Sequence, residues 1–192
     1  MKISKAQSQA NRARIVETAA ALFRERGYDG VGVADLMAAA GLTHGGFYKH
    51  FKSKADLMVE AAECGLARAA NGDAPLDPKA FIDYYLSRAH RDAPADGCTM
   101  AALCGDAARQ PEPVKAVFAA GLERMVGTAE GSEQGAEKAE DAGVRERKLA
   151  LIAQAVGAVM LSRACPDDSP LADEILEVCR RAAVAQMETG GA

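Results

Sequence analysis

The chain has 192 residues and a formal net charge of −4, with 49% hydrophobic and only 5% aromatic residues. That length admits one large or two small domains, and abundant alanine with few β-branched runs favours helices over strands. The sequence shows no hairpin signature, no apolar run long enough to span a membrane and no secretory leader. Its five scattered cysteines fit neither a disulfide framework nor a zinc spacing, so the expectation is an all-α, cytoplasmic protein with reduced thiols.

Charge is unevenly placed. Residues 1–60 carry nine Lys and Arg against six Asp and Glu, and the remainder carries 14 against 21. A basic head on an acidic body fits a polyanion contact confined to one end.

In chain order, Ser4 to Arg26 predicts a first helix. Ile15, Ala19, Leu22 and Phe23 form its buried stripe, and Arg12, Arg14, Arg24, Glu25 and Arg26 lie largely off it. Gly27 ends it, and Tyr28 packs back. Ala34 to Ala40 predicts a short second helix, broken at Gly41 where the chain needs a left-handed residue. Leu42 plugs the turn and Thr43 caps another short helix, which carries His44, Gly45, Gly46, Tyr48, Lys49, His50 and Lys52. Phe47 and Phe51, at i and i+4, pin that helix to its domain. Helix, glycine turn, helix is the helix-turn-helix pattern, whose second helix enters the DNA major groove. Glycines in the first turn oppose helix propensity but permit close approach to another surface.

Ser53 caps a fourth helix over 55–70, with Asp56 at its positive end and Leu57, Ala61 and Cys64 on one face. The turn-rich stretch 71–78 follows. A fifth helix runs from Pro78 or Lys79 to about Arg91, with Phe81, Tyr84, Tyr85 and Leu86 as an aromatic side. After a break at 92–97, a sixth helix spans Cys98 or Thr99 to Ala108. Pro111 and Pro113 bracket the start of a seventh, which carries Val114, Val117, Phe118, Leu122 and Met125. Residues 127–143, rich in glycine and glutamate, read as a mobile loop with room for helical fragments. Two final helices carry apolar stripes, Leu149, Ile152, Val156 and Val159, then Leu171, Ile175, Val178 and Ala182. These stripes either face their own core or, paired with a second copy, form a four-helix bundle.

Residues 12–61 resemble the DNA-binding head of the TetR/AcrR family of bacterial transcriptional repressors. The matching pieces are Ala19–Ala20 with Leu22–Phe23, Gly27–Tyr28, Asp35–Leu36, Ala39 to Leu42, Tyr48 with His50–Phe51, and Lys54 followed by Leu57. One departure is Gly32, where the family usually carries Thr or Ser; it leaves an N-cap without a hydroxyl for a phosphate. The resemblance implies an N-terminal three-helix head (residues 1–54) and a C-terminal helical ligand-binding and dimerisation domain (55–192). Some nine helices are expected, with the helix at 55–70 joining the two parts.

The expected protein is therefore a homodimeric repressor, paired through residues 144–187 and bound to a palindromic operator in double-stranded DNA. Its expected location is the bacterial cytoplasm, on the nucleoid when bound. Candidate DNA contacts are Arg14, Thr43, His44, Gly45, Gly46, Tyr48, Lys49, His50, Lys52 and Lys54. Of these, His44 and Thr43 are assigned to base edges, and Tyr48, His50 and Lys54 to phosphate. The family surrounds a ligand cavity with its later helices. Phe81, Tyr84, Tyr85, Met100, Leu103, Phe118, Leu122 and Met125 would line one suited to a small hydrophobic or aromatic inducer. Alternatively, Cys98 at a helix start beside Arg91 acts as an electrophile or oxidant sensor. A helical dimer scaffold that does not bind DNA ranks lower. An enzyme is not expected: Gly30-Val31-Gly32 lacks the final glycine of a nucleotide fingerprint, and His44 and His50 do not share a helix face as metal ligands would. No cofactor or metal is implied.

Overall fold

A computed structural model describes residues 4–71, 77–127 and 135–189, and every regular element among them is a helix. In chain order these are α1 (Lys5–Arg26), α2 (Val33–Ala39), a 3-10 helix (His44–Lys49), α3 (Lys54–Asn71), α4 (Pro78–Tyr85), α5 (Arg88–Arg91), α6 (Thr99–Ala107), α7 (Glu112–Val126), α8 (Gly135–Ala164) and α9 (Pro170–Thr189). They divide into two compact units. The first comprises residues 1–72 and 94–121, the second 73–93 and 122–192.

In the first unit, Ser4 caps α1, its Oγ accepting the Gln7 N–H at 3.1 Å. Ile15, Ala19, Ala20 and Phe23 of α1 are buried, as are Leu57, Met58, Ala61, Ala62 and Leu66 of α3. These helical spacings form the shared face of the two packed helices. Arg24 corrects the reading of α1. Expected off the stripe, it is buried, and its guanidinium donates to the Ala95 carbonyl, with Nε at 2.8 Å. The chain leading into α6 covers that end of α1, which periodicity within one helix does not register.

Gly27 ends α1 at φ +73°, its N–H bonded to the Phe23 carbonyl at 2.8 Å. The next N–H, that of Tyr28, donates to Asp106 Oδ2 of α6 at 3.0 Å. Gly32 caps α2 through its backbone alone: Asp35 Oδ2 accepts the Gly32 N–H at 3.3 Å, and the hydroxyl half of a capping box has no counterpart. Gly41 adopts φ +65° and Leu42 N–H returns to the Met37 carbonyl at 2.8 Å, closing the expected turn. Ser53 and Asp56 cap α3 reciprocally, at 3.1 and 2.9 Å.

In the second unit α8 and α9 run antiparallel. Ser162 Oγ donates to the Ala172 carbonyl at 2.8 Å, and Gln154 Nε2 to the Cys179 carbonyl at 3.1 Å. Ala155, Ala158, Ala172 and Ala183 are buried with Val159 and Leu176, so small side chains bring the two helices close. The expected fifth helix is broken. Leu86 leaves helical geometry at ψ 42° and is buried, and Ser87 then caps a separate turn, α5. That turn is held from α8. Arg91 donates to Ser162 Oγ at 3.0 Å and its carbonyl at 3.1 Å, while Arg163 donates to the carbonyls of Arg91 and His90 at 2.8 and 3.0 Å. The expected loop at 127–143 is also corrected, because α8 already begins at Gly135. Its alanine and glutamate favour helix there. Residues 128–134 of that loop, and 72–76 of the expected boundary at 71–78, lie outside the described residues.

Gly27→Ala should lower stability by about 1–3 kcal/mol. It places a Cβ at positive φ and 2.6 Å from Asp106 Oδ2. Urea unfolding followed by circular dichroism measures the loss.

Candidate nucleic-acid interface and apolar cavity

The short helix expected after Gly41 winds as a 3-10 helix. Two consecutive glycines weaken α-helical winding, and the tighter i to i+3 pattern suits so short a piece. Gly46 N–H bonds to the Thr43 carbonyl at 2.9 Å and His50 N–H to the Phe47 carbonyl at 2.9 Å. Thr43 has N-cap backbone geometry, but its hydroxyl caps nothing.

Phe47 and Phe51 are buried with ring centroids 5.6 Å apart, and Arg12 lies 4.5 Å over the Phe51 ring while pairing with Glu60 of α3. With one side pinned, the other faces outward. Thr43, His44, Gly45, Lys49 and Lys52 are exposed, His50 is half-buried, and Tyr48 is 67% exposed. Tyr48 stands edge-on to His44 and to Phe47, at 6.4 and 5.2 Å. Arg14 is exposed on α1, its guanidinium 3.4 Å from Asn11 Oδ1. Lys54 differs from the others. Its ammonium donates to the Tyr28 carbonyl at 2.5 Å, which leaves two donors for an outside acceptor.

The two glycines have different surroundings. A Cβ on Gly45 would meet nothing within 4 Å; one on Gly46 would stand 3.5 Å from Met37 Cε and 3.6 Å from Thr43 Oγ1, an ordinary contact. Neither has positive φ. The fold of the free protein therefore demands glycine at neither position.

The second unit holds an apolar cavity of 360 Å³ lined by Pro78, Phe81, Ile82 and Tyr85 of α4, Met125 of α7, Leu151, Ile152, Ala155 and Val156 of α8, and Met187 of α9. Of the residues expected to line one, Phe81, Tyr85 and Met125 do so. Tyr84 lies off the lining, exposed and 5.7 Å from the His90 ring. Met100, Leu103 and Phe118 are buried in the first unit, and Leu122 is half-buried outside the lining. The spacing 78, 81, 82, 85 is a helical stripe that could have yielded Ile82. The α8 residues carried an apolar signal too, but it read as a dimer seam.

The two terminal stripes divide by environment. Val159 is fully buried and Ile152 and Val156 line the cavity, while Leu149, Leu171 and Val178 are exposed with Leu161, the last at 61%. Ile175 and Ala182 are half-buried. Cys98 is the N-cap of α6 and half-buried, and none of the five cysteines is in a disulfide. Arg91, expected beside Cys98, is committed to Ser162, whereas Arg24 lies within electrostatic reach of Cys64 and Cys98. Among the described residues no group of three His, Cys, Asp or Glu is placed to hold a metal, and no helix is long and apolar enough to cross a membrane.

Residues 15–61 match the family model for bacterial regulatory proteins of the tetR family. A probable HTH-type transcriptional regulator of Pseudomonas putida, ArpR, is 36% identical over 102 residues, 50% of this chain and 49% of that protein. The HTH-type transcriptional regulator TtgR, also of Pseudomonas putida, is 35% identical over 102 residues, with the same coverage. The matched stretch thus spans about half the length of these relatives. The crystal structure of a TetR transcriptional regulator from Chloroflexus aurantiacus superposes with TM-score 0.69 at 25% identity, covering 95% of this chain and 96% of that one. Reduced NemR of E. coli, at 18% identity and TM-score 0.66 over 91% of this chain and 95% of that one, shares the fold.

His90, beneath the cavity wall, gives a pH prediction. It is buried, Nδ1 lies 2.7 Å from the Tyr85 carbonyl, and burial holds its pKa below the ordinary 6.5, outweighing that hydrogen bond. Below pH 6.5 the unfolded chain then binds more protons than the folded one, so stability is full above that pH and falls as pH drops. Thermal unfolding at pH 7.5 and 5.5 should show the fall, and His90→Gln should shrink it.

Proposed function

The chain belongs to the TetR/AcrR family of bacterial transcriptional regulators, and on that premise we propose that it is a homodimeric, cytoplasmic repressor released from a palindromic operator by a small hydrophobic inducer. Residues 1–54 act as the reading head, and α3 is the arm that carries it. The observation that supports this most directly is the 3-10 helix, pinned by Phe47 and Phe51 with its donor-rich side turned outward. Hydroxyl, imidazole, phenol and ammonium groups are what phosphates and base edges accept from. His44 and Thr43 read bases. Tyr48, His50, Lys49, Lys52, Arg14 and the remaining donors of Lys54 hold phosphate.

Gly45, open on its free side, lets the backbone come close to a groove wall. One such short helix touches few base pairs. Two, related by a two-fold axis, read half-sites roughly 34–36 Å apart or a multiple of that. The exposed leucines of α8 and α9 support pairing there, since a second copy would remove them from water. Inducer in the cavity favours a head spacing that misses the half-sites. The coupling is typically about 1–3 kcal/mol, or about 5–150-fold in operator affinity. A second reading, sensing through Cys98, is favoured only by the nearby guanidinium of Arg24. An inducer response that survives Cys98→Ser removes it.

A gel shift with the DNA flanking its own gene, at two salt concentrations, tests the main reading. Binding should depend on sequence and weaken steeply with salt. His44→Ala should cost about 1–3 kcal/mol on the operator and flatten sequence preference, whereas Lys49→Ala should weaken all duplexes alike. Gly45→Ala should impair operator binding, and Gly46→Ala much less. Both should leave the free protein as stable or up to about 1 kcal/mol more so. Equal grip on random and cognate duplexes would defeat the proposal. Leu161→Glu with Leu171→Glu should yield monomers by light scattering and lower operator affinity in parallel.

A further inference from the structure

We propose that the cavity of the second unit accepts neutral, apolar ring compounds and excludes ligands that carry a full charge, an inference resting on the reading of that cavity as the inducer site. α4 presents Phe81, Ile82 and Tyr85 to it, while Lys79 and Asp83 lie off that face and pair with each other at 3.3 Å. α8 adds Ile152, Ala155 and Val156. Among the described residues no charged side chain lines the space, and Tyr85 contributes the lining's one hydroxyl.

Several charged groups of the unit pair with one another: Arg88 with Asp173 at 2.5 Å, Arg145 with Glu123 at 2.9 Å, and Arg180 with Asp83 and Glu177 at 2.8 and 2.9 Å. A carboxylate or ammonium against the apolar lining would lose hydration and gain no charged partner from it. The cavity is partly open to solvent, with Phe81 and Met125 of its lining exposed, and a space of 360 Å³ walled by apolar side chains suits an apolar occupant that covers them. Met125 and Met187 supply unbranched, polarisable walls that adjust to rings of different outline.

The test uses two fluorescent probes with one ring skeleton, the neutral N-phenylnaphthylamine and the anionic anilinonaphthalene sulfonate. Both are titrated into the full chain without DNA. The neutral probe should bind saturably, once per protomer, and at least about 10-fold more tightly than the sulfonate. Naphthalene should displace it and benzoate should not. Val156→Phe, which fills the cavity, should abolish binding, and Ala155→Phe serves if that variant fails to fold. Lys115→Gln, at an exposed position outside the lining, should leave binding unchanged.

Sulfonate binding as tight as the neutral probe's, or neutral binding that survives both filling variants, would overturn the inference. A gel shift with the neutral probe present is read separately. Discrimination by charge without operator release sustains the ligand class and ends the inducer reading.

Discussion

The peptide of Tyr28 is gripped at both ends, and the first unit is arranged about that grip. Asp106 of α6 accepts its N–H at 3.0 Å, and Lys54 at the start of α3 donates to its carbonyl at 2.5 Å. The chain arrives there through Gly27 at φ +73°, and the missing Cβ is what lets the Asp106 carboxylate come so close. The Tyr28 ring is buried edge-on to Phe23, with centroids 5.0 Å apart. Burial first, and the Asp106 charge second, push the phenol's pKa well above its ordinary 10.0, so the side chain stays neutral in the core. Three helices thus meet at one residue. Arg24, one turn earlier, repeats the device by donating to the Ala95 carbonyl.

That clamp fixes α1 and α3, and these in turn aim the 3-10 helix. Arg12 links the two helices through Glu60 and covers Phe51, which packs on Phe47. The outward side of the segment is therefore held from behind by two aromatic rings and a stacked guanidinium. Its two glycines run against this order, since each gives up the helical preference that alanine would supply. No positive φ and no tight contact requires either of them. The proposed approach of this backbone to a duplex would supply a requirement for glycine that the free protein lacks. The same logic separates Gly45, open to solvent, from Gly46, whose missing Cβ faces Met37.

Much of the head was legible because its signals are local. Gly41 in the left-handed region, Ser53 with Asp56 as a reciprocal cap, and the Phe47–Phe51 pair each depend on residues within four positions of one another. The features that sequence reasoning missed are tertiary. Arg24 sits where helical spacing predicts solvent, and only the chain before α6 makes it internal. Pro78 to Arg91 has unbroken helical character. The break at Leu86 arises because burying Leu86 and docking α5 on Ser162 together outweigh one more helical turn. The wall that α8 adds to the cavity was hidden for a related reason: an apolar stripe states that a face is buried, and does not state by what.

α8 shows how far that ambiguity reaches. One helix of 30 residues supplies Ala158 and Val159 to its own core and Ile152, Ala155 and Val156 to the cavity, and leaves Leu149 and Leu161 exposed. At about 100° per residue Leu149, Ile152, Val156 and Val159 fall on one strip about 80° wide, so heptad spacing alone merges them into one seam. Their adjacency also has a mechanical consequence. A packed helix responds as a body, because close-packed interiors transmit displacement rather than absorb it. A ligand pressing on Ile152 and Val156 would turn or shift the same cylinder that carries Leu149 and Leu161. Coupling between an occupied cavity and the face proposed for pairing then needs no chain of intervening contacts, since both are surfaces of α8.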